Sequence, residues 1–170
     1  MATANTFVQI GSTVTVGSGG AASIEFTSIP ATYTDLVVKF SVRSDTASNS
    51  AQIQLQLNSA AGSAIVLRGS GAAATSYSNG LEMETGRADG GGSTSSVFTN
   101  GEFYIPNYGT AIAHSVSSDV VTENNAATAY AELTANLSTS TAAVTAVKLL
   151  VSSTNFVQYS TASLYGILKY

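Results

Sequence analysis

The sequence of 170 residues contains no cysteine, which excludes disulfide bonds, thiolate metal ligands and a cysteine nucleophile. This absence leaves the redox compartment open. A single histidine, His114, is present, so imidazole coordination of a transition metal and a serine–histidine–aspartate triad would both depend on that one residue. We therefore predict no metal site and no cofactor.

Charge is the second shortage, because charged residues make up only 9% of the chain, against about 25% in typical soluble domains. The six lysines and arginines are scattered and the net charge is −4, so we expect no nucleic-acid partner. No run approaches the roughly 18 apolar residues of a membrane span, and residues 1–6 lack the basic and apolar regions of a signal peptide. We therefore expect no membrane association and a protein made in a cytoplasm.

Serine and threonine, by contrast, account for 46 residues, and they alternate with apolar residues in many short segments. From Leu36 to Val42 every second residue is large and apolar, the period of a strand with one buried face. Segment 126–137 is rich in alanine, which favours a helix, but its apolar residues alternate strictly. Because the surrounding segments have strand patterns, we predict a strand there as well. Segment 69–80 has no such pattern, and we expect a loop.

About eight to ten such strands, with turn signals between them, predict an all-β fold. We expect an antiparallel β-sandwich of jelly-roll-like architecture, although periodicity alone does not separate this topology from an immunoglobulin-like one. The length suits one domain spanning residues 1–170. Residues 1–6 are small and polar, and we expect them to form a flexible arm.

The stretch Val97–Tyr108 contains four of the fourteen aromatic residues and one of the two prolines. Alternation places Phe103 and Ile105 toward the core and Tyr104 on the opposite face. The following proline and asparagine are expected to end the strand in a turn. Tyrosine suits interfaces because its ring is apolar and its hydroxyl is polar. We therefore expect Tyr104 and Tyr108 to contact a partner or another copy of the chain.

Residues suited to catalysis are few. His114 and Asp119 would lie on opposite faces of one strand, so we expect a partly buried or strand-end histidine. Glu82 and Glu84 are the only closely spaced pair of glutamates, and we expect solvated surface charges rather than a glycosidase pair. The glycine-rich segment 88–96 lacks the patterns of calcium and phosphate loops and predicts a mobile or partner-ordered loop. We predict that the protein is not an enzyme.

Four blocks of the sequence carry a family resemblance. They are IPATYTDL at 29–36, FTNGEFYIPNY at 98–108, SVSSDVVTENN at 115–125 and NFVQYSTASLYGI at 155–167. Together they resemble small virion proteins encoded by tailed bacteriophages, especially phages of cyanobacteria and other aquatic bacteria. The resemblance extends from about residue 7 onward and brings no catalytic residue with it.

This resemblance implies a structural protein of the virion, assembled in the cytoplasm of a host bacterium. It implies a homotrimer that decorates the outer surface of the capsid as a cement protein and contacts the major capsid protein or other virion proteins. Related sandwiches occur as head fibres and tail-fibre tips. A receptor-binding domain that recognises a host-surface glycan is therefore the alternative expectation.

Overall fold

The computed structural model describes residues 6–60, 62–70, 73–79, 83–123 and 129–168, with 62–70 and 73–79 described by their backbone alone. Every regular element in these ranges is a strand. The strands are β1 (Phe7–Thr15), β2 (Ser23–Phe26), β3 (Asp35–Val42), β4 (Ser50–Leu57), β5 (Gly62–Ser70), β6 (Ala73–Asn79), β7 (Met83–Asp89), β8 (Thr99–Ile105), β9 (Ser115–Glu123), β10 (Ala129–Ser138), β11 (Val147–Val151) and β12 (Thr161–Ile167).

These strands form two antiparallel sheets that pack against each other. The larger sheet has eight strands in the order β1-β12-β3-β8-β9-β10-β5-β6, and the smaller has four in the order β2-β11-β4-β7. Strands β1 to β4 alternate between the sheets, as in a jelly roll. The predicted all-β antiparallel sandwich is confirmed. The structure describes twelve strands rather than the expected eight to ten, and β6, at the end of the larger sheet, is one that no sequence pattern predicted.

The core lies between the sheets and is formed by the inward residues of the alternating strands. Leu36, Val38 and Phe40 of β3 are buried, and the rings of Phe40 and Phe103 have centroids 4.8 Å apart. Phe103 and Ile105 of β8 are fully buried, as the alternation predicted. The chain turns directly after β8, where the residue following Pro106 adopts a left-handed conformation that asparagine tolerates.

Two segments predicted as loops contribute strands. Residues 73–79 form β6, and Ala88 and Asp89 are the last residues of β7. Small and polar residues give these segments no strand pattern, and the strands arise through antiparallel pairing with β5 and β4. Local preference for a strand is weak, so that such non-local pairing decides the conformation.

The glycine-rich loop that follows β7 is held in place by the chain itself, which contradicts the expected mobile or partner-ordered loop. The guanidinium of Arg43 donates to four of its carbonyl oxygens, those of Gly90, Ser93, Thr94 and Val97. The carboxylate of Glu123 accepts hydrogen bonds from the amide and the hydroxyl of Thr94. Charged hydrogen bonds of this kind are stronger than neutral ones and order the loop without a partner.

Acidic side chains on β7 are buried. Glu84, predicted to be a solvated surface charge, is only 1% exposed, whereas Glu82 lies outside the described residues. Asp89 is also buried, and neither of its carboxylate oxygens has a hydrogen-bond partner among the described residues. Burial raises the pKa of Asp89, and the negative charge of nearby Glu123 acts in the same direction.

We expect Asp89→Asn to raise the free energy of unfolding at pH 7 by about 1–2 kcal/mol, because it removes a negative charge from a buried position whose desolvation outweighs the favourable effects of Thr99 and Arg43. The pKa of Asp89 in the folded state lies above the unfolded value of about 3.9. Protonated Asp89 therefore contributes its full stabilisation below the unfolded pKa, and this stabilisation is lost as the pH rises through the folded pKa. Urea unfolding should show that the advantage of the variant disappears at about pH 3.

Asp45→Asn provides a control of opposite sign. The hydrogen bond from the amide of Asn155 lowers the pKa of Asp45, so that this carboxylate stabilises the fold above its unfolded pKa. That variant should lose stability at pH 7 and approach the wild type in acid. Equal stability of Asp89→Asn and the wild type at pH 7 would contradict a cost of burying Asp89.

Candidate functional site

Strand β10 is oriented opposite to the usual arrangement, with its apolar residues toward solvent. Leu133 and Leu137 are 51% and 50% exposed, and the three alanines that alternate with them are exposed too. The residues directed into the sandwich are polar: Glu132, Thr134, Asn136 and Ser138. The alternation correctly predicted a strand, but the apolar set does not face the core.

The inward polar residues of β10 are accommodated by a network beneath β7. Thr134 shares a hydrogen bond with the hydroxyl of Ser118 and accepts one of 2.7 Å from the amide of Asn136. Ser118 donates to the carbonyl of Thr85, and Nε of Arg87 lies 3.7 Å from Oε1 of Glu132. Buried polar groups are tolerated when hydrogen bonds satisfy them. The network satisfies the hydroxyls of Ser118 and Thr134, whereas Oδ1 of Asn136 and Nε of Arg87 have no hydrogen-bond partner among the described residues. The leucines of β10 thus face outward above a polar layer that is only partly satisfied.

The exposed apolar residues continue across the neighbouring strands. Val121 on β9 pairs in register with Ala131 on β10, and it is 42% exposed. Tyr104 on β8 faces the same side and is 37% exposed. The outer β8–β10 face is defined by these and their neighbours: Tyr104, Val121, Ala131, Leu133, Ala135 and Leu137. The outward-facing Ser117 and Asp119 of β9 lie between Tyr104 and the apolar row of β10, so the face mixes apolar and polar side chains. Exposed apolar side chains surrounded by polar residues mark interaction sites in soluble proteins.

Two polar depressions lie along the β8–β9 pair of the outer β8–β10 face. Glu102 and Asp119 lie directly opposite each other on β8 and β9, an arrangement of like charges that costs stability. Lys39 on β3 forms an ion pair of 2.7 Å with Glu102. Depressions of about 340 Å³ and 190 Å³ lie on either side of Glu102 and Asp119, and the smaller one is also lined by Tyr104 and Leu133. Acidic side chains therefore lie within the outer β8–β10 face, with Asp119 directly opposite Leu133.

The two tyrosines predicted as contacts differ in position. The hydroxyl of Tyr104 donates to Oδ2 of Asp35 at 2.7 Å, which fixes the ring on the surface, and this hydrogen bond raises the pKa of Tyr104. Tyr108 is fully buried, its hydroxyl donating to the carbonyl of Pro30 and accepting from the amide of Tyr33. The prediction that Tyr108 contacts a partner is wrong, because its ring fills the core next to the turn after β8. A contact role for Tyr104 stays a prediction.

His114 is buried directly before β9, and its Nε2 lies 3.1 Å from the carbonyl oxygen of Ala142. The expected strand-end histidine is confirmed, and Asp119 lies on the opposite, exposed side of the strand. Within the described ranges, no group of three or more histidine, aspartate and glutamate side chains could hold a metal ion. The same residues include no helix suited to crossing a membrane.

Comparisons with family models, with curated proteins and with solved structures return no match. The surface chemistry of the sandwich therefore carries the functional interpretation. The pattern that identifies the surface was visible in the sequence as the alternation of Leu133, Ala135 and Leu137 with polar residues. The sequence pattern does not show that β7 packs on the polar side of β10 and covers it.

Proposed function

We propose that this chain is a structural protein of a bacteriophage virion, a homotrimeric decoration protein that stabilises the outer surface of the capsid. The observation that carries the proposal is the outward apolar side of β10, which leaves Leu133 and Leu137 half exposed. In a monomer these leucines contribute little to folding. In an assembly, a virion protein such as the major capsid protein would cover the outer β8–β10 face, and burial of these leucines would then stabilise the complex.

The low charge of the chain supports this role. Only 9% of the residues are charged, and a hydroxyl-rich surface costs less to desolvate than a charged one. Burying the exposed half of each leucine contributes about 1 kcal/mol per side chain. In a trimer, binding of the first copy raises the effective concentration of the other two at the capsid surface, so that the small contributions of the three copies act together. A decoration protein built in this way attaches firmly although each contact is weak.

The proposal is tested by comparing virions with and without this protein for resistance to heat and osmotic shock. Decorated particles are expected to survive conditions that release DNA from undecorated ones. Equal resistance of both particles would refute a cementing role. The mass of the purified protein in solution tests the trimer separately, and a monomer at micromolar concentration would count against it.

The competing function is a receptor-binding domain of a head fibre or tail fibre. It predicts that the protein is found at the fibre tip, where cryo-electron microscopy of the virion would locate it. A decoration protein is expected instead at regular positions over the capsid shell. The same images show which face of the sandwich contacts the capsid, and contact through a surface other than the outer β8–β10 face would contradict the assignment of that face.

A further inference from the structure

The smaller depression on the outer β8–β10 face, of about 190 Å³, combines carboxylates with an aromatic ring and an aliphatic side chain. We call it the β8–β9 notch and define it by its lining residues, Glu102, Tyr104, Ser117, Ser118, Asp119 and Leu133. Small-molecule sites have volumes of roughly 300 Å³ or more. The notch is smaller and therefore suits a single side chain of a partner.

Two rows of side chains that cross the sheet form the notch. In the first row each residue lies directly opposite the next, in the order Lys39, Glu102, Asp119 and Leu133. In the second row Tyr104 on β8 lies opposite Ser117 on β9. Residues two apart on a strand face the same side of a sheet, so the two rows share the outer face. The carboxylates thus border the notch on one side and the tyrosine ring on the other.

The negative charge of the first row is only partly neutralised. Glu102 forms its ion pair with Lys39, which lies on the side away from Asp119. Asp119 is exposed and makes no ion pair or hydrogen bond with the residues that the structure describes. Directly opposite residues have Cβ atoms about 4.5–5.5 Å apart, so the carboxylates of Glu102 and Asp119 repel each other. The pair therefore makes the free protein less stable.

The remaining walls of the notch are apolar, and one of them is held in place. The hydroxyl of Tyr104 donates to Oδ2 of Asp35 at 2.7 Å, which positions the ring before any ligand arrives. Leu133 is 51% exposed and borders the notch on the β10 side. An aromatic ring attracts a cation to its face, and an aliphatic wall suits the methylene chain of a long basic side chain.

We propose that the β8–β9 notch binds an arginine side chain of the protein that covers the outer β8–β10 face, an inference that rests on the proposed decoration function. The guanidinium donates to the carboxylates of Glu102 and Asp119 and lies against the ring of Tyr104. Its methylene chain lies along Leu133. Arginine suits the notch better than lysine, because its planar group of five donors can bridge two carboxylates and stack on an aromatic ring.

A bound metal ion fits the notch less well than a guanidinium. Calcium takes six to eight oxygen ligands, of which the notch offers two carboxylates and the hydroxyls of two serines. The described ranges contain no group of three acidic or histidine side chains suited to a metal ion. A positive side chain opposite Asp119 needs no such cage, because a charged hydrogen bond requires only one acceptor oxygen per donor.

The arginine and the exposed leucines act together in the complex. The guanidinium supplies the positive charge that Asp119 lacks, so that the repulsion present in the free protein is offset on binding. Apolar contacts around the notch exclude water and strengthen these charged hydrogen bonds. Burial of Leu133 and Leu137 therefore provides affinity, whereas Glu102 and Asp119 select a basic partner.

The notch is tested by titrating the full chain, labelled with nitrogen-15, with the amides of N-acetyl-L-arginine, N-acetyl-L-lysine and N-acetyl-L-norleucine. The arginine compound is expected to shift the amide signals of residues 102–104, 117–119 and 133, with a Kd in the millimolar range. It should bind about threefold more tightly than the lysine compound, and the neutral norleucine compound should not bind. Shifts confined to other residues, or equal binding of arginine and lysine or of arginine and norleucine, would overturn the proposal.

Asp119→Asn separates recognition from folding. Loss of the repulsion should leave the variant at least as stable to heat as the wild type, while its affinity for N-acetyl-L-arginine amide falls about tenfold. Glu25→Gln is the matched control, because it removes the same charge from an exposed position on the smaller sheet. That variant should keep the wild-type affinity. Unchanged binding by Asp119→Asn, or an equal loss in Glu25→Gln, would contradict the assignment.

Attachment to virions that lack the protein separates this inference from the decoration function. Attachment of the wild type should weaken as sodium chloride rises from about 0.05 to 0.5 M, because salt screens the contact. Asp119→Asn should attach about tenfold more weakly at low salt and depend less on salt. Normal attachment of this variant would refute the arginine contact and leave the decoration function standing. No attachment of the wild type would refute the decoration function, whereas the titration measures the notch by itself.

Discussion

Replacing Leu133 and Leu137 together by serine is expected to weaken attachment to undecorated virions at least a hundredfold while leaving the fold intact. Both side chains are half exposed, and surface substitutions usually change the free energy of unfolding by less than about 0.5 kcal/mol. In the assembly, each Leu→Ser change removes about 1 kcal/mol of favourable binding free energy, and the loss occurs in all three copies of the trimer. The result is a stable, soluble protein that no longer decorates particles.

Attachment is measured by sedimenting purified protein with particles that lack it, and stability by thermal unfolding of the same samples. Ile112→Ser is the matched control, since Ile112 is 54% exposed and does not belong to the outer β8–β10 face. It should attach like the wild type. Leu149→Ser, at a fully buried position, should unfold the domain instead. Normal attachment of the double variant, or its collapse in stability, would contradict an interface on this face.

Gly86→Ala is expected to destabilise the domain by about 3 kcal/mol, among the largest effects for a single methyl group. Gly86 lies where the register between β4 and β7 shifts, and its φ of 141° is one that L side chains rarely adopt. A Cβ there would lie 2.7 Å from the Cβ of Val120 on β9. Both the backbone and the packing between the sheets therefore oppose the substitution.

Urea unfolding measures this loss, with Gly17→Ala as the control. A Cβ on Gly17 would meet no atom within 4 Å, so that variant should match the wild type. Adding Val120→Ala to Gly86→Ala removes the contacts with the two γ-methyl groups of Val120 but keeps the contact with its Cβ and the strained φ. The double variant should therefore cost less than the sum of the two single changes while remaining clearly destabilised. If Gly86→Ala proved as stable as Gly17→Ala, the close approach of β7 to β9 would be wrong.

The larger strands could be predicted because their alternation is a local property. Every second residue from Leu36 to Val42 faces the core as expected, and so do Phe103 and Ile105. The turn after Ile105 follows from proline and asparagine chemistry. Strand β6 could not be predicted, since its small and polar residues carry no period and it depends on pairing with β5. The candidate contact Tyr108 failed for a related reason, because turn residues have no alternation to show which side is buried.

The sequence by itself determined the class of fold, through the spacing of its apolar residues, and excluded cysteine chemistry through composition. Only the tertiary structure decided which side of β10 is covered, because a strand of period two has two faces and its own residues do not choose between them. The choice follows from β7, where the carbonyl of Thr85 accepts a hydrogen bond from Ser118, the hydrogen-bond partner of Thr134.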